Sequence, residues 1–220
     1  MARLPRGERI SLQGPAGALE LLIETPIEEG GGEAPAPRSF AVVCHPHPLQ
    51  GGTLDNKVVW TLARAFEQLG APAIRFNFRG VGASGGLYDE GRGETEDALR
   101  VIAYGRERWP GAALWLGGFS FGGVIALRAA SRERCERVVL VAPGITKIET
   151  GGIGAPECPM LIVQGDADDV VPAPAVLAWA KTLQPAPTVT LLAGAGHFFH
   201  GRTLDLRDAV LGFMAGEAAT

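Results

Sequence analysis

Cysteine is scarce in this 220-residue chain, which carries only Cys44, Cys135 and Cys158. An odd count without metal-ligand spacing gives no basis for a disulfide framework or a zinc site, so these residues are expected to act as small buried apolar side chains. Cys44 stands apart, because it ends a predicted strand beside the candidate site. No segment approaches the roughly 20 apolar residues that a bilayer crossing needs, and the opening MARLPRGERISLQG lacks an apolar core of signal-peptide length. A cytoplasmic protein with no membrane partner is expected. The formal net charge is −4, and Lys and Arg are scattered rather than clustered, which removes the electrostatic case for a nucleic-acid partner. No internal repeat is present.

What is present is ample apolar material, 46% of residues, with 20% charged, enough for one domain spanning residues 1–220 with a large core. ERISLQ and ALELLIETP, separated by the turn GPAG, predict an antiparallel hairpin at a sheet edge. The Gly-, Pro- and Glu-rich stretch from Pro26 to Arg38 reads as a surface loop. From Ser39 onward, strands and helices alternate. SFAVVCHP, PAIRFNF, AALWL, RVVLVAP, PMLIVQG and TVTLLAG read as strands. Helices are predicted in TLDNKVVWTLARAFEQLG (capped by Thr53 or Asp55), EGRGETEDALRVIAYGRERWP, VIALRAA, PAPAVLAWAKTL and TLDLRDAVLGFMAG. This alternation predicts a mostly parallel, doubly wound α/β sheet with helices on both faces, and ligands outside the carboxyl ends of the strands.

The stretch LWLGGFSFGG carries the strongest chemical signal. Gly118, Ser120 and Gly122 fit G-x-S-x-G, in which glycines on either side of a strained strand-to-helix turn let the serine hydroxyl project above the sheet. A serine there also faces the unpaired N–H groups and dipole of a helix start, which favour the charge that acyl transfer develops. The plainer alternative is a glycine-rich turn with Ser120 as helix cap. Two further loops after predicted strands supply partners: GDADDVVP, with Asp166, Asp168 and Asp169, and AGHFFHG, with His197 and His200. An imidazole can accept the serine proton, and a carboxylate behind it can fix the tautomer. Each alone could be a solvated turn or cap residue; all three loops in the order Ser, Asp, His argue for chemistry.

On these motifs the sequence resembles the α/β-hydrolase superfamily along nearly its whole length. GFSFG is similar to the family's nucleophile elbow and GAGHFF to its histidine loop, implying Ser120 and His197. GDADDVVP matches the acid loop G-x-x-D-x-x-V-P at Gly165, Asp168, Val171 and Pro172, which implies Asp168 rather than Asp166 or Asp169. CHPHPLQGGTLDNKVV with RFNFRGVGASGG narrows the resemblance to small, lidless bacterial members of dienelactone-hydrolase-like size. Arg79 to Ser84 then corresponds to a structural RG-x-G-x-S loop, although Gly80, Gly82 and Gly85 also fit the dinucleotide pattern G-x-G-x-x-G.

An oxyanion hole needs two backbone donors: one from Phe121, after the nucleophile, and one from the loop HPHPLQGG. Pro46 and Pro48 have no N–H, which leaves His47, with Leu49 as the alternative. His45 and His47 could instead bind metal, but acidic or cysteine partners are lacking nearby; for His45 a loop-bracing hydrogen bond is expected. Only Gly144 to Cys158 lie between two strands, too few for a helical cap, so an open cleft lined by Leu49, Phe119, Phe121 and Phe198 is expected. The resulting expectation is a cofactor-free serine hydrolase acting on a small ester or thioester. An acyltransferase or peptidase on the same fold, and a non-catalytic binding protein, are the alternatives. Oligomeric state and substrate identity are not encoded in any readable motif.

Overall fold

Apolar runs form strands where both faces of a sheet are covered, and the runs FAVVC, LWLGGF, VVLV and MLIV build the centre of this molecule. A computed structural model describes residues 7–26, 36–148, 150 and 152–216. Its strands are β1 (Gly7–Gly14), β2 (Gly17–Glu24), β3 (Ser39–Cys44), β4 (Ala73–Phe76), β5 (Ala113–Phe119), β6 (Arg137–Val141), β7 (Met160–Gly165) and β8 (Thr188–Leu192). The helices are α1 (Lys57–Gln68), α2 (Arg92–Arg108), α3 (Phe121–Ala130), α4 (Ala173–Ala180) and α5 (Thr203–Met214). All eight strands join one sheet in the order β1-β2-β4-β3-β5-β6-β7-β8. The hairpin β1–β2 pairs antiparallel and joins β4 antiparallel; every other pairing is parallel. This is the expected α/β architecture. Residues 27–35, most of the expected surface loop, lie outside the described residues.

Side chains alternate across the sheet with period two. Phe40, Val42, Cys44, Leu114, Leu116, Val138 and Leu140 face α2, α3 and α4, whereas Ala41, Val43, Val139, Val141 and Phe119 face α1 and α5. The chain leaves β3 through α1 to β4 on one side, then crosses back through α2 to β5 on the other. Where the order reverses, the carboxyl ends of β3 and β5 open a crevice suited to a ligand.

Two local expectations are decided by hydrogen bonds. The cap of α1 is Asn56, whose Oδ1 accepts from the N–H groups of Val58 at 2.9 Å and Val59 at 3.4 Å. Thr53 and Asp55 fall in the preceding turn, where Thr53 Oγ1 accepts from the Asp55 N–H. The glycine-rich loop after β4 is structural. Arg79 makes a two-pronged ion pair with buried Asp97 of α2, and Glu20 of β2 accepts from Asn77 Nδ2 and the Ala83 N–H. α2 begins only at Arg92, so the loop does not open a helix as dinucleotide binding requires. No helix among the described residues is long and apolar enough to cross a membrane.

Candidate active site

β5 turns into α3 at Ser120, whose φ of 55° and ψ of −117° lie outside the regions favoured by L-residues. The surroundings impose that turn. The Ser120 N–H donates to Val141 O at 2.9 Å, and Ser120 O accepts from the N–H groups of Gly123 at 3.0 Å and Gly144 at 2.9 Å. Glycine at the flanks is a steric requirement: a Cβ on Gly118 would stand 2.1 Å from Gly122 O, and one on Gly122 would stand 2.3 Å from Cys44 O. The elbow is thus wedged against the end of β3, and Ser120 is left half-exposed above the sheet.

The loops after β7 and β8 meet this serine. His197 Nε2 lies 3.1 Å from Ser120 Oγ, and His197 Nδ1 lies 2.8 Å from Asp168 Oδ2. A carboxylate only accepts, so Nδ1 carries the proton and Nε2 offers its lone pair to the Ser120 hydroxyl. Asp168 is buried and fully supplied with donors: the Val170 and Val171 N–H groups bond Oδ1 at 2.9 and 2.7 Å, and Gln164 Nε2 bonds Oδ2 at 2.9 Å. Burial pushes its acidity toward the neutral form, but the hydrogen bonds from His197, Val171 and Val170 prevail and hold the carboxyl below its ordinary range. Asp166 and Asp169 are exposed, Asp166 being spent on the Gly194 N–H, and His200 is exposed against the Phe198 ring. An array of this kind can take a proton from a serine hydroxyl and stabilise the imidazolium that results.

The loop after β3 is braced by its two histidines. His45 is fully buried; its Nε2 accepts from the Phe78 N–H at 3.0 Å, so Nδ1 donates to Pro46 O at 2.6 Å. His47 Nδ1 accepts from the Leu49 N–H at 3.2 Å, and its Nε2 meets Tyr88 Oη at 3.2 Å. Leu49, the alternative oxyanion donor, therefore has its N–H engaged within the loop. The His47 ring packs 5.1 Å from that of Phe121, whose own N–H opens α3 and has no helical acceptor. Among the described residues no three His, Cys, Asp or Glu side chains converge to hold a metal ion.

Comparison with known proteins bears on the same architecture. Residues 49–152 match the family model described as the alpha/beta hydrolase fold. The chain is 32% identical over 200 residues to the Rickettsia prowazekii protein RP471, covering 86% of this chain and 84% of that one. It superimposes with a TM-score of 0.88 on XC6422 of Xanthomonas campestris, described as an a/b serine hydrolase without lid, at 37% identity over 97% of this chain and 96% of that one. An alpha-beta serine hydrolase homologue from Coxiella burnetii also gives 0.88, at 39% identity over 97% of this chain and all of that one. The chain belongs to the α/β-hydrolase superfamily. In keeping with XC6422, which is described as without lid, the described residues between Gly144 and Cys158 form no helix or strand.

Within that family fold, the expected cleft lining needs two corrections. Leu49 is 71% exposed and Phe198 48% exposed at the site, but Phe119 and Phe121 are buried, Phe121 within the core on the α2/α3 face. Phe119 follows Trp115 and Gly117 onto the α1/α5 face of β5, where its ring lies 5.0 Å from that of His197 and supports it from below. It cannot line an open cleft. Two contributors escaped the sequence reading. Gln164, a lone amide in the apolar run MLIVQG, was a visible anomaly; Tyr88 sits in the irregular loop LYDEG, which has no periodicity to orient it.

Burial holds the His45 imidazolium down to about 4, against a partial counterweight from Pro46 O. The unfolded chain takes up this proton near pH 6.5 and the folded chain does not, so His45 contributes fully above about 6.5 and is lost as pH falls toward 4. Its full contribution is on the order of 3 kcal/mol. Glu67 acts oppositely: burial, then the neighbouring Glu24, raise its carboxyl to about 7, so its effect is a loss of stability as pH rises. In a Glu67→Gln variant the denaturant midpoint should therefore fall between pH 6.5 and 4 more steeply than in the wild type. A flat profile in that variant would contradict a buried neutral His45.

Proposed function

We propose that this chain is a serine hydrolase that cleaves small esters or thioesters through an acyl-enzyme on Ser120. The observation that carries the reading is the continuous hydrogen-bonded chain from Ser120 Oγ through His197 to Asp168. On this reading His197 Nε2 removes the hydroxyl proton as Ser120 Oγ attacks the acyl carbonyl. The same proton then passes to the leaving alkoxide or thiolate, and water repeats the sequence in reverse to free the acid. Asp168 keeps His197 in the tautomer that accepts from serine. The N–H groups of Phe121 and His47 hold the oxyanion; the close packing of Gly122 on the end of β3 and the ring contact between His47 and Phe121 support this assignment. The exposed Leu49 and Phe198 side chains favour an acyl group with an apolar portion.

A fluorophosphonate probe tests the reaction class directly, since phosphonylation requires a serine already activated by its base. The probe should label wild type at Ser120, and a p-nitrophenyl ester series from acetyl to decanoyl should show turnover with a chain-length optimum. Absence of both labelling and turnover would refute the hydrolase reading in favour of a binding protein. Labelling without ester turnover would retain the serine chemistry and overturn the small-ester assignment.

A further inference from the structure

Two of the three cysteines depart from the expectation of buried apolar residues. Cys44 is fully buried, and burial pushes its thiol upward. Cys135 and Cys158 are half-exposed free thiols, 23 residues apart in the chain, with their sulfurs 3.2 Å apart. Cys135 lies in the turn between α3 and β6, and Cys158 lies two residues before β7. β6 and β7 are parallel neighbours, and the Val138 N–H donates to Pro159 O at 3.2 Å, so the backbones around both cysteines are already tied together. Where β6 and β7 begin, two residues on from each cysteine, neighbouring strands lie about 4.8 Å apart, inside the roughly 4.4–6.8 Å Cα separation that a disulfide spans. Closing the sulfurs to a bond of about 2.05 Å requires side-chain rotation rather than movement of a strand.

We propose that Cys135 and Cys158 are a reversible dithiol–disulfide pair, oxidised by exchange with a small disulfide of the glutathione type, which staples the amino ends of β6 and β7 when closed. Either sulfur can donate in the 3.2 Å contact; with Cys135 as the donor, its S–H and then the Arg137 guanidinium hold the Cys158 thiol below its usual range. Cys158 is accordingly the attacking thiolate. It displaces one glutathione thiolate and forms a mixed disulfide. Cys135, losing its proton to the departing thiolate, then attacks the Cys158 sulfur and expels the second glutathione. The protein loses two electrons and two protons, and one oxidised glutathione becomes two reduced ones. The ring so closed contains β6 and Gly144, whose N–H holds Ser120 O.

The test uses the full chain, purified reduced, incubated with oxidised glutathione, alkylated under denaturing conditions and mapped by mass spectrometry, with thermal unfolding in parallel. The expected result is a Cys135–Cys158 cross-linked peptide, Cys44 still alkylated, and a Tm raised by roughly 5–10 °C that dithiothreitol reverses. Cys135→Ser and Cys158→Ser should each lose both cross-link and shift. Persistence of all three thiols, a lasting glutathione adduct on Cys158 in the wild type, or a cross-link that fails to raise Tm would overturn the proposal. None of these readouts depends on hydrolase activity, so the proposal and the proposed function stand or fall separately.

Discussion

Ser120→Ala should lower ester turnover by on the order of 10⁴-fold or more while leaving the fold intact. The size follows from the role proposed for Ser120: without that nucleophile no acyl-enzyme would form, and only water positioned by His197 and the proposed oxyanion donors would be left to attack. The fold should survive because the turn is imposed by backbone contacts, Ser120 N–H to Val141 O and Gly144 N–H to Ser120 O, which alanine retains. The positive φ of 55° is as strained for alanine as for serine, so no new cost arises. Parallel measurement of kcat and of the denaturant midpoint separates the outcomes. Retained turnover would remove Ser120 from the chemistry, whereas a collapsed midpoint would show that the hydroxyl holds the elbow together.

That elbow was legible because steric necessity wrote it into the sequence. Gly118 and Gly122 stand where any Cβ would strike backbone, and backbone collisions leave few substitutes. Strands β3, β5, β6 and β7 were legible for a related reason, since burial on both faces leaves apolar runs; β8, at the sheet edge, has no buried residue. Phe119 was readable and misread: period two along β5 assigns it to the face of Trp115 and Gly117, away from the cleft. Tyr88 was not readable, because its place beside His47 depends on an irregular loop. The Cys135–Cys158 contact is of the same kind, created by pairing between β6 and β7 and absent from any local pattern. Sequence periodicity constrains which way a side chain faces within an element. It does not say which loops meet at the ends of the sheet.

Asp168→Asn should cost about 10³- to 10⁴-fold in turnover, while Asp166→Asn and Asp169→Asn stay within about threefold. The asymmetry is set by donors. In the wild type Asp168 Oδ1 accepts from the Val170 and Val171 N–H groups, and Oδ2 accepts from His197 and Gln164. An asparagine keeps its oxygen toward the two backbone donors, which places its amide nitrogen, a donor, against His197 Nδ1. His197 must then accept at Nδ1 and carry its proton on Nε2, where it faces Ser120 and cannot act as base. Gln164 Nε2 keeps Val171 O at 3.0 Å and Gly165 O at 3.3 Å as acceptors, so the stability lost should stay within about 1–3 kcal/mol. Asp166 and Asp169 are exposed, and neither bonds His197, so neither substitution touches its tautomer. Equal losses from all three variants would show that the acid loop acts through its summed negative charge. Loss confined to Asp168→Asn, in a protein that unfolds at nearly the wild-type midpoint, would tie the rate to the proton on His197.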